Sequence, residues 1–349
     1  GPREPWRPAT CKTRLYQLRA AISALVLQGV PLNEINSLAV LVRYENYDKI
    51  CRFFYARRGG QKSSQVTGIA TCLKDIARHW VKVEESELTR IKNLSSRLVM
   101  PRGGMTAKNR QRLRPLDDPE MVTKFLDIPY RIRREMPKAR GSARIKAVLA
   151  QVGVAILILQ TAPIRIKNLA EIDLNKNLIS RGDKIYLVFD GAQVKNNEPI
   201  DFELPEWVVE MLVWYLKEHR PVLLNQPCDA LFPGANGGAK HEATLGQQIS
   251  KTVHRFTGME FNPHLFRHAG GKIFLDINPG EYEVVRRVLG HKSLQTTTSI
   301  YTGAETRSAG QYFATTIASR LEAKQTTPRA SRKLSATAAA LLKPKVKSS

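Results

Sequence analysis

The stretch PHLFRH at Pro263–His268 and the stretch LGHKSLQTTTSIY at Leu289–Tyr301 decide how this chain folds. Side chains three and four positions apart share one face of a helix, so His264 is expected beside both Arg267 and His268. Two histidines at this spacing can bind a metal, but the glutamate that a zinc protease requires is missing from the arrangement. We therefore expect no metal site here, and the three residues must have a different role.

The second stretch has the signals of a helix end followed by a helix start. Gly290 is typical of the residue that ends a helix, and Ser293 is typical of the residue that caps the next one. Tyr301 follows His291 by ten positions. His291 at the turn and Tyr301 shortly after it are therefore two more side chains in this part of the chain that could take part in a reaction.

Two further basic residues stand out upstream. Arg165 lies five positions after the end of the apolar run Val148–Gln160, which predicts a buried helix. An arginine at such a place is costly without an anionic partner, and a structural salt bridge is the ordinary explanation. Lys195 lies between Ile185–Phe189 and Ile200–Leu204, two predicted strands joined by a polar turn. Taken alone, Lys195 is a lysine of a hairpin.

The apolar patterning predicts a mainly α-helical chain with a small antiparallel β-sheet in its second domain. Residues 3–99 have helical periodicity and little strand signal, which indicates four or five short helices. Residues 100–115 are interpreted as a basic linker, residues 116–320 as a second domain with the strands, and residues 321–349 as a tail. Within the tail, the Ala-rich segment Leu334–Leu342 could form one apolar helix.

The charge of the chain indicates a polyanionic partner. Its 349 residues include 55 Lys and Arg against 31 Asp and Glu, a formal net charge of +24. Folded proteins this basic commonly bind nucleic acid, and a linker of this charge is drawn to phosphates. The linker residues expected to contact DNA are Arg102, Lys108, Arg110, Arg112 and Arg114. No run of 18 apolar residues is visible, so no spanning helix and no membrane partner are expected.

Taken together, these segments resemble the tyrosine recombinase, or phage integrase, family. The order is Arg165, Lys195, His264-x-x-Arg267, Leu-Gly-His291 and Tyr301, and the resemblance covers roughly residues 115–317. It implies a helical core-binding domain followed by a catalytic domain, arranged as a C-shaped clamp on DNA. It also implies a site-specific recombinase that cuts and rejoins DNA through a 3′-phosphotyrosyl intermediate and a Holliday junction.

The resemblance assigns a role to each site residue. Tyr301 is the nucleophile, Arg165 and Arg267 clamp the non-bridging phosphate oxygens, and His264 takes a proton. The remaining roles go to Lys195, the general acid for the leaving 5′ oxygen, to His291, which binds the phosphate, and to His268, which supports it. Arginine suits its role because its planar fork matches two phosphate oxygens. No metal, ATP or other cofactor is implied, because the phosphotyrosine bond stores the energy of the cut bond.

The sequence departs from the family pattern at two places. Many members have an acidic residue three positions after the first arginine, where this chain has Asn168, and Glu171 is the alternative orienting carboxylate. Many members also have a shorter interval between the histidine and the tyrosine, and the additional residue falls within Thr296–Ser299. Tyr312 is the nearest downstream rival to Tyr301, but it lacks the preceding motif.

Three other readings stay open at this point. A type IB topoisomerase or a hairpin-forming telomere resolvase has similar active-site chemistry, although the Leu-Gly-His-Lys segment favours a recombinase. A non-catalytic DNA-binding relative would be expected to lose at least one of the reactive groups, and a basic architectural protein gives no reason for the combined motifs. For a recombinase, the resemblance implies double-stranded DNA with a specific site, a homotetramer on two sites with a dimer on each, and a location in the bacterial cytoplasm at the nucleoid.

Overall fold

The computed structural model describes residues 6–100, 104–194, 197–301 and 306–322. The chain divides into two compact units, Gly1–Arg102 and Gly103–Ser349. Arg102, Lys195 and the segment Leu334–Leu342 lie outside the described residues.

The first unit is helical throughout its described part. A large apolar core, which includes Leu25, Tyr47, Ile50, Ile69 and Leu73, holds the helices together. The helical periodicity predicted for this region is therefore the periodicity of residues that face one core. Its helices are α1 (Pro8–Val26), α2 (Leu38–Val42), α3 (Tyr44–Ala56), α4 (Ser64–Ile76) and α5 (Glu85–Leu98), with a 3-10 turn at Leu32–Glu34 and a π-helical turn at Ala77–Val81.

The segment interpreted as a linker contains structure of its own. Helix α6 spans Ala107–Leu113, and the Thr106 side chain caps it by accepting a hydrogen bond from the backbone of Asn109. Met105, Leu113 and Leu116 are buried in the core of the second unit. The part of this segment that the structure describes thus packs as a piece of the second unit, because its few apolar residues are spaced to reach that core.

The second unit is mainly helical and carries one small sheet. Three of its later helices, which follow one another closely along the chain, contain most of the two stretches quoted first. The helices are α7 (Pro119–Leu126), α8 (Ile128–Glu135), α9 (Ala143–Thr161), α10 (Ile166–Ala170), α11 (Glu206–Trp214), α12 (Arg220–Leu223), α13 (Glu242–Thr257), α14 (Pro263–Ile277), α15 (Tyr282–Leu289), α16 (Leu294–Tyr301) and α17 (Thr306–Glu322).

The sheet has three antiparallel strands where the sequence predicted two. Strands β2 (Lys184–Phe189) and β3 (Ile200–Leu204) were expected, and β1 (Leu178–Arg181) adds to the other edge of β2 in the order β1-β2-β3. A tight turn with Gly182 at a φ of 65° joins β1 to β2. The predicted class, mainly α with a small antiparallel sheet, is confirmed.

Helix α9 forms the centre of the second unit. Its residues from Val152 to Leu159 are all buried, and it packs against α8, α13 and α14. Among the described residues it is the one helix that is long and apolar enough to cross a membrane by length and composition, with 61% of that window buried inside the protein. Burial on several sides accounts for this composition, because a helix surrounded by protein is apolar all round.

Candidate active site

Helix α14 carries the first reactive group at its start. Asn262 caps this helix, its side chain accepting a hydrogen bond from the Leu265 backbone, and Pro263 occupies the first turn, where no N–H is needed. Arg267 is buried, and its Nη1 donates to the carbonyl of Pro163 at 2.5 Å while its Nη2 donates to the carbonyl of Leu289. Two backbone carbonyls thus fix the plane of this guanidinium.

A second arginine lies near Arg267. Arg165 is half-buried at the start of α10, and burial lowers the pKa of its guanidinium. Burial, followed by the charge of the neighbouring Arg165, lowers the pKa of Arg267 to about 10, while Tyr301 acts in the opposite direction. Both side chains stay positively charged at neutral pH. Two like charges so close together provide a strong local field for an anion.

His291 lies on the turn between α15 and α16. Gly290 ends α15 in the left-handed conformation, with a φ of 58°, and Arg286 Nη1 donates to the His291 carbonyl at 3.1 Å. The His291 ring Nδ1 is 2.9 Å from Thr297 Oγ1. Burial, followed by the charges of Arg267 and Arg165, lowers the pKa of His291 to about 4, so the ring is neutral at pH 7.

These groups face one open cleft of about 600 Å³. Arg165, Arg267 and His291 all line it, as do Val194 and Glu198. In the sequence, Lys195 follows Val194 and precedes Glu198 by three positions. The structure therefore brings together three of the residues that the sequence selected. Such a convergence of positive charge with a neutral imidazole suits a phosphate group.

Tyr301 is buried behind this cleft and is not among the residues that line it. Its hydroxyl donates a hydrogen bond to the Arg267 carbonyl at 3.0 Å. Burial raises the pKa of Tyr301, and the Arg267 charge opposes that rise. A Cβ at Gly271 would be only 2.5 Å from Tyr301 Cζ, so the phenol ring needs a glycine at this position of α14.

The two histidines of α14 connect Tyr301 to the surface. His264 is exposed, and its ring meets that of His268 edge to face at 5.0 Å between centroids. The His268 ring is buried and lies 6.2 Å from that of Tyr301. Burial, then the charges of His264, Arg267 and His291, lower the pKa of His268 to about 4. Among the described residues, His268 Nδ1 is buried without a hydrogen-bond partner.

Asn168, at the position where many family members have an acidic residue, makes a hydrogen bond that a carboxylate could not make. Asn168 is buried, and its Nδ2 donates to the carbonyl of Gln193 at 3.0 Å. A carboxylate could not make this contact, because it has no hydrogen to donate. Glu171, the alternative carboxylate, lies 3.8 Å from Lys167 Nζ. Asn168 therefore links the start of α10 to the chain two positions before Lys195.

The remaining predicted residues lie on α6 and the 3-10 turn that follows it. Lys108, Arg110 and Arg114 are exposed and Arg112 is half-buried. Within the described ranges, no group of three or more His, Cys, Asp or Glu is arranged to hold a metal ion.

Sequence reasoning missed three basic residues of the cleft. Arg286, Arg287 and Lys292 line it beside His291. Arg286 is held by Glu283, with both nitrogen–oxygen distances at 2.7 Å. The sequence signal for them was the pair of consecutive arginines, Arg286 and Arg287, shortly before the Leu-Gly-His segment. The general excess of positive charge along the chain hid this signal.

Two solved structures of lambda integrase share this fold. A dimer of a lambda integrase fragment bound to a COC′ core site has a TM-score of 0.53, with 12% identity over 87% of this chain and 90% of that one. A lambda integrase fragment bound to DNA has a TM-score of 0.50, with 14% identity over 86% and 91%. XerH recombinase bound to a difH substrate has a TM-score of 0.42, with 15% identity over 84% and 93%. A comparison with curated proteins gives no match.

The fold and the family comparison define a tyrosine site-specific recombinase. The model of the phage integrase family matches residues 131–307, which is just over half of the chain. The chain belongs to the phage integrase family. The resemblance inferred from the motifs is thereby confirmed.

Proposed function

We propose that this recombinase cuts and rejoins double-stranded DNA at a specific site through a 3′-phosphotyrosyl intermediate formed by Tyr301. The observation that carries the proposal is the cleft in which Arg165, Arg267 and His291 converge, with Tyr301 directly behind it. A scissile phosphate in this cleft meets two permanent charges and a neutral imidazole. Phosphoryl transfer develops negative charge on the non-bridging oxygens, which such a site stabilises.

The proposed reaction exchanges one phosphodiester for another. The Tyr301 oxygen attacks phosphorus, the bond to the 5′ oxygen breaks, and the phenolic proton leaves by way of His264. Lys195 gives a proton to the departing 5′ oxygen. A 5′ hydroxyl of another strand then attacks the phosphotyrosine and releases Tyr301, so two rounds of exchange proceed through a Holliday junction. No cofactor takes part.

Attack requires Tyr301 to leave its present hydrogen bond. The phenol oxygen now faces the Arg267 carbonyl, and burial keeps it protonated. In the proposed reaction the Tyr301 oxygen breaks its hydrogen bond with the Arg267 carbonyl and moves to attack the phosphorus. The positive charge of Arg267 favours the phenolate that forms.

The proposed DNA partner is bound by both units. Lys108, Arg110 and Arg114 of the second unit are exposed and are proposed to contact phosphates, with Arg112 and Arg102 beside them in the sequence. Each such contact releases counterions, which makes the affinity depend strongly on salt. The expected setting is the bacterial cytoplasm, at the nucleoid.

The proposed working unit is a homotetramer on two DNA sites, because two duplexes require four cuts and each protomer has one Tyr301. An apolar groove of about 380 Å³ in the second unit supports a docking contact, and Ile277, Val284 and Val288 leave apolar surface exposed there. The segment Leu334–Leu342 of a neighbouring protomer is the proposed occupant. Deleting the chain after Lys324 should preserve binding to a half-site and weaken cooperative pairing in gel-shift titration.

The decisive experiment recovers the protein covalently bound to nicked DNA and sequences the DNA at the nick. The wild-type protein should form an adduct that maps to Tyr301, and Tyr301→Phe should bind DNA without forming one. Adducts that persist in the variant, or that map to Tyr312, would contradict the proposal. Relaxation of supercoiled DNA that lacks the recovered site would indicate a topoisomerase instead.

A further inference from the structure

The hydrogen bond between Thr297 and His291 joins a buried residue to a residue that lines the cleft. His291 lines the cleft, whereas Thr297 is fully buried on α16, and the Thr297 Oγ1 to His291 Nδ1 distance is 2.9 Å. A buried hydroxyl at this distance from a ring nitrogen makes a hydrogen bond in one of two directions. The direction decides which nitrogen of His291 carries the proton.

The burial of Thr297 determines the direction. If Nδ1–H were the donor, the threonine proton would need another acceptor, and among the described residues Thr297 Oγ1 has no hydrogen-bond partner besides His291. A buried hydroxyl proton without an acceptor is costly. The arrangement that satisfies both groups has the Thr297 O–H donating to an unprotonated Nδ1.

A neutral imidazole carries its proton on one nitrogen only, so an accepting Nδ1 leaves Nε2 as the N–H donor. Nε2 is at the opposite side of the ring from Nδ1 and hence from Thr297. A neutral histidine that binds a phosphate oxygen must offer it an N–H, because phosphate oxygens are acceptors. The hydrogen bond from Thr297 thus leaves His291 as the donor that the cleft requires.

We propose that Thr297 is a positioning residue that holds His291 in its Nε2–H tautomer, ready to donate to the scissile phosphate. The proposal rests on the proposed function for its consequence in cleavage, although the tautomer itself can be measured without DNA. Thr297 is fully buried and does not line the cleft, so its proposed effect on the reaction passes through His291.

The position of Thr297 ties this tautomer to the helix of the nucleophile. Thr297 and Tyr301 are one turn apart on α16, four positions along the chain, and both are fully buried. Residues at this spacing share a face of a helix. The interval in which this chain differs from many relatives, Thr296–Ser299, is therefore the interval that sets the Thr297 hydroxyl against His291.

The tautomer can be read directly by nuclear magnetic resonance of the full chain labelled with ¹⁵N in its seven histidines. The signals of His291 are assigned by their disappearance in His291→Gln. We expect the wild-type protein to show a protonated Nε2 and an unprotonated Nδ1 at pH 7. Thr297→Val should mix the two tautomers, and Thr297→Ser should restore the single one. A protonated Nδ1 in the wild-type protein would overturn the proposal without any variant.

The consequence for the reaction is measured as single-turnover cleavage at saturating DNA. Thr297→Val should lower the cleavage rate by roughly tenfold with no change in half-site affinity, since an outer partner that orients a reacting side chain commonly has this effect. Thr297→Ser should restore the rate, and Thr297→Val should have no further effect in a His291→Ala background.

The matched control is Thr298→Val, the same change one position along α16. The Thr298 hydroxyl donates to the Leu294 carbonyl, a bond within the helix, so its loss should leave both the tautomer and the rate unchanged. Equal defects in the two valine variants, or a slower Thr297→Val enzyme with an unchanged tautomer, would overturn the proposal. If the wild-type protein cleaves no DNA, the proposed function fails while the tautomer measurement still decides this one.

Discussion

The hydroxyl of Tyr301 donates a hydrogen bond to the backbone carbonyl of Arg267, 3.0 Å away, although 34 positions separate the two residues. The guanidinium of the same Arg267 donates to the carbonyls of Pro163 and Leu289. The main chain of Arg267 therefore binds the hydroxyl of the proposed nucleophile, and its side chain binds Pro163 and Leu289, two residues that line the cleft. A small movement of α14 at Arg267 would change both sets of hydrogen bonds.

The first prediction concerns the glycine under the Tyr301 ring. In Gly271→Ala the new Cβ would come within 2.5 Å of Tyr301 Cζ, so the ring must shift from its buried place. We expect a loss of about 1–3 kcal/mol in the free energy of unfolding, as for other overpacked cores. Chemical denaturation measures this loss, which should largely vanish in a Tyr301→Ala background.

The neighbouring glycine gives a matched control for this experiment. Gly270 is on the same helix, and a Cβ there meets nothing within 4 Å. Gly270→Ala should be neutral or stabilising by up to about 1 kcal/mol, because alanine favours a helix. A Gly271→Ala protein as stable as Gly270→Ala would show that Tyr301 does not occupy this place in solution.

The second prediction concerns the fork of Arg267. Arg267→Lys retains a charge but cannot donate to both the Pro163 and the Leu289 carbonyls while also meeting two phosphate oxygens. We expect cleavage to fall by roughly a hundredfold or more, as on loss of one donor that stabilises a transition state, with a smaller effect on DNA affinity. Arg255→Lys, at an exposed position of α13, serves as the control. Normal recombination by Arg267→Lys would remove the clamp from the proposed mechanism.

The sequence was sufficient for the parts of the site that depend on local spacing. The motif PHLFRH does begin a helix, and Gly290 does end one, because caps and glycine turns are decided within a few residues. The sheet was predicted except for β1, whose four residues LISR give too short an alternation to distinguish a strand from a loop.

The contacts between distant segments could not be predicted in the same way. Nothing local to Arg267 indicates that its fork meets Pro163, 104 positions earlier, or that the hydroxyl of Tyr301 faces the main chain and not the cleft. The basic segment before residue 116 was interpreted from its charge, which concealed the two apolar residues Met105 and Leu113 that anchor it to a core. Such contacts depend on how the helices pack, which composition does not specify.

The third prediction concerns acid sensitivity without DNA. Burial lowers the pKa of His268 to about 4 in the folded protein, whereas an unfolded histidine titrates near 6.5. Between these values the unfolded state binds more protons, so stability is complete above pH ~6.5 and falls as the pH drops towards ~4. The upper limit of this loss is about 3 kcal/mol, and the half-buried His291 adds a smaller, solvent-screened part.

Replacing the ring tests the source of this slope. His268→Phe keeps an aromatic ring against His264 and Tyr301 but cannot be protonated, so the dependence of unfolding free energy on pH should become shallower between pH 4 and 6.5. The same substitution at His79, which is exposed in the first unit, should leave the slope unchanged. An unaltered slope in His268→Phe would place the acid sensitivity elsewhere.

The last prediction concerns Asn168, the residue at the family's acidic position. Asn168→Asp keeps the shape but loses the donor to the Gln193 carbonyl, so the chain two positions before Lys195 loses its buried tie. If this hydrogen bond helps to place the proposed general acid, Asn168→Asp should lower the cleavage rate of ordinary DNA by roughly tenfold or more. DNA with a 5′-bridging sulfur should be cut at nearly the wild-type rate, because that sulfur leaves without a proton.

Asn177→Asp is the matched control, because Asn177 Nδ2 likewise donates to a backbone carbonyl, that of Val188 at 2.8 Å. Both variants should lose about 1–3 kcal/mol of stability through an unpaired carbonyl, but the control should treat the two DNA substrates alike. Equal defects of Asn168→Asp on both substrates would mean that Asn168 supports the fold of the site and not the delivery of the proton.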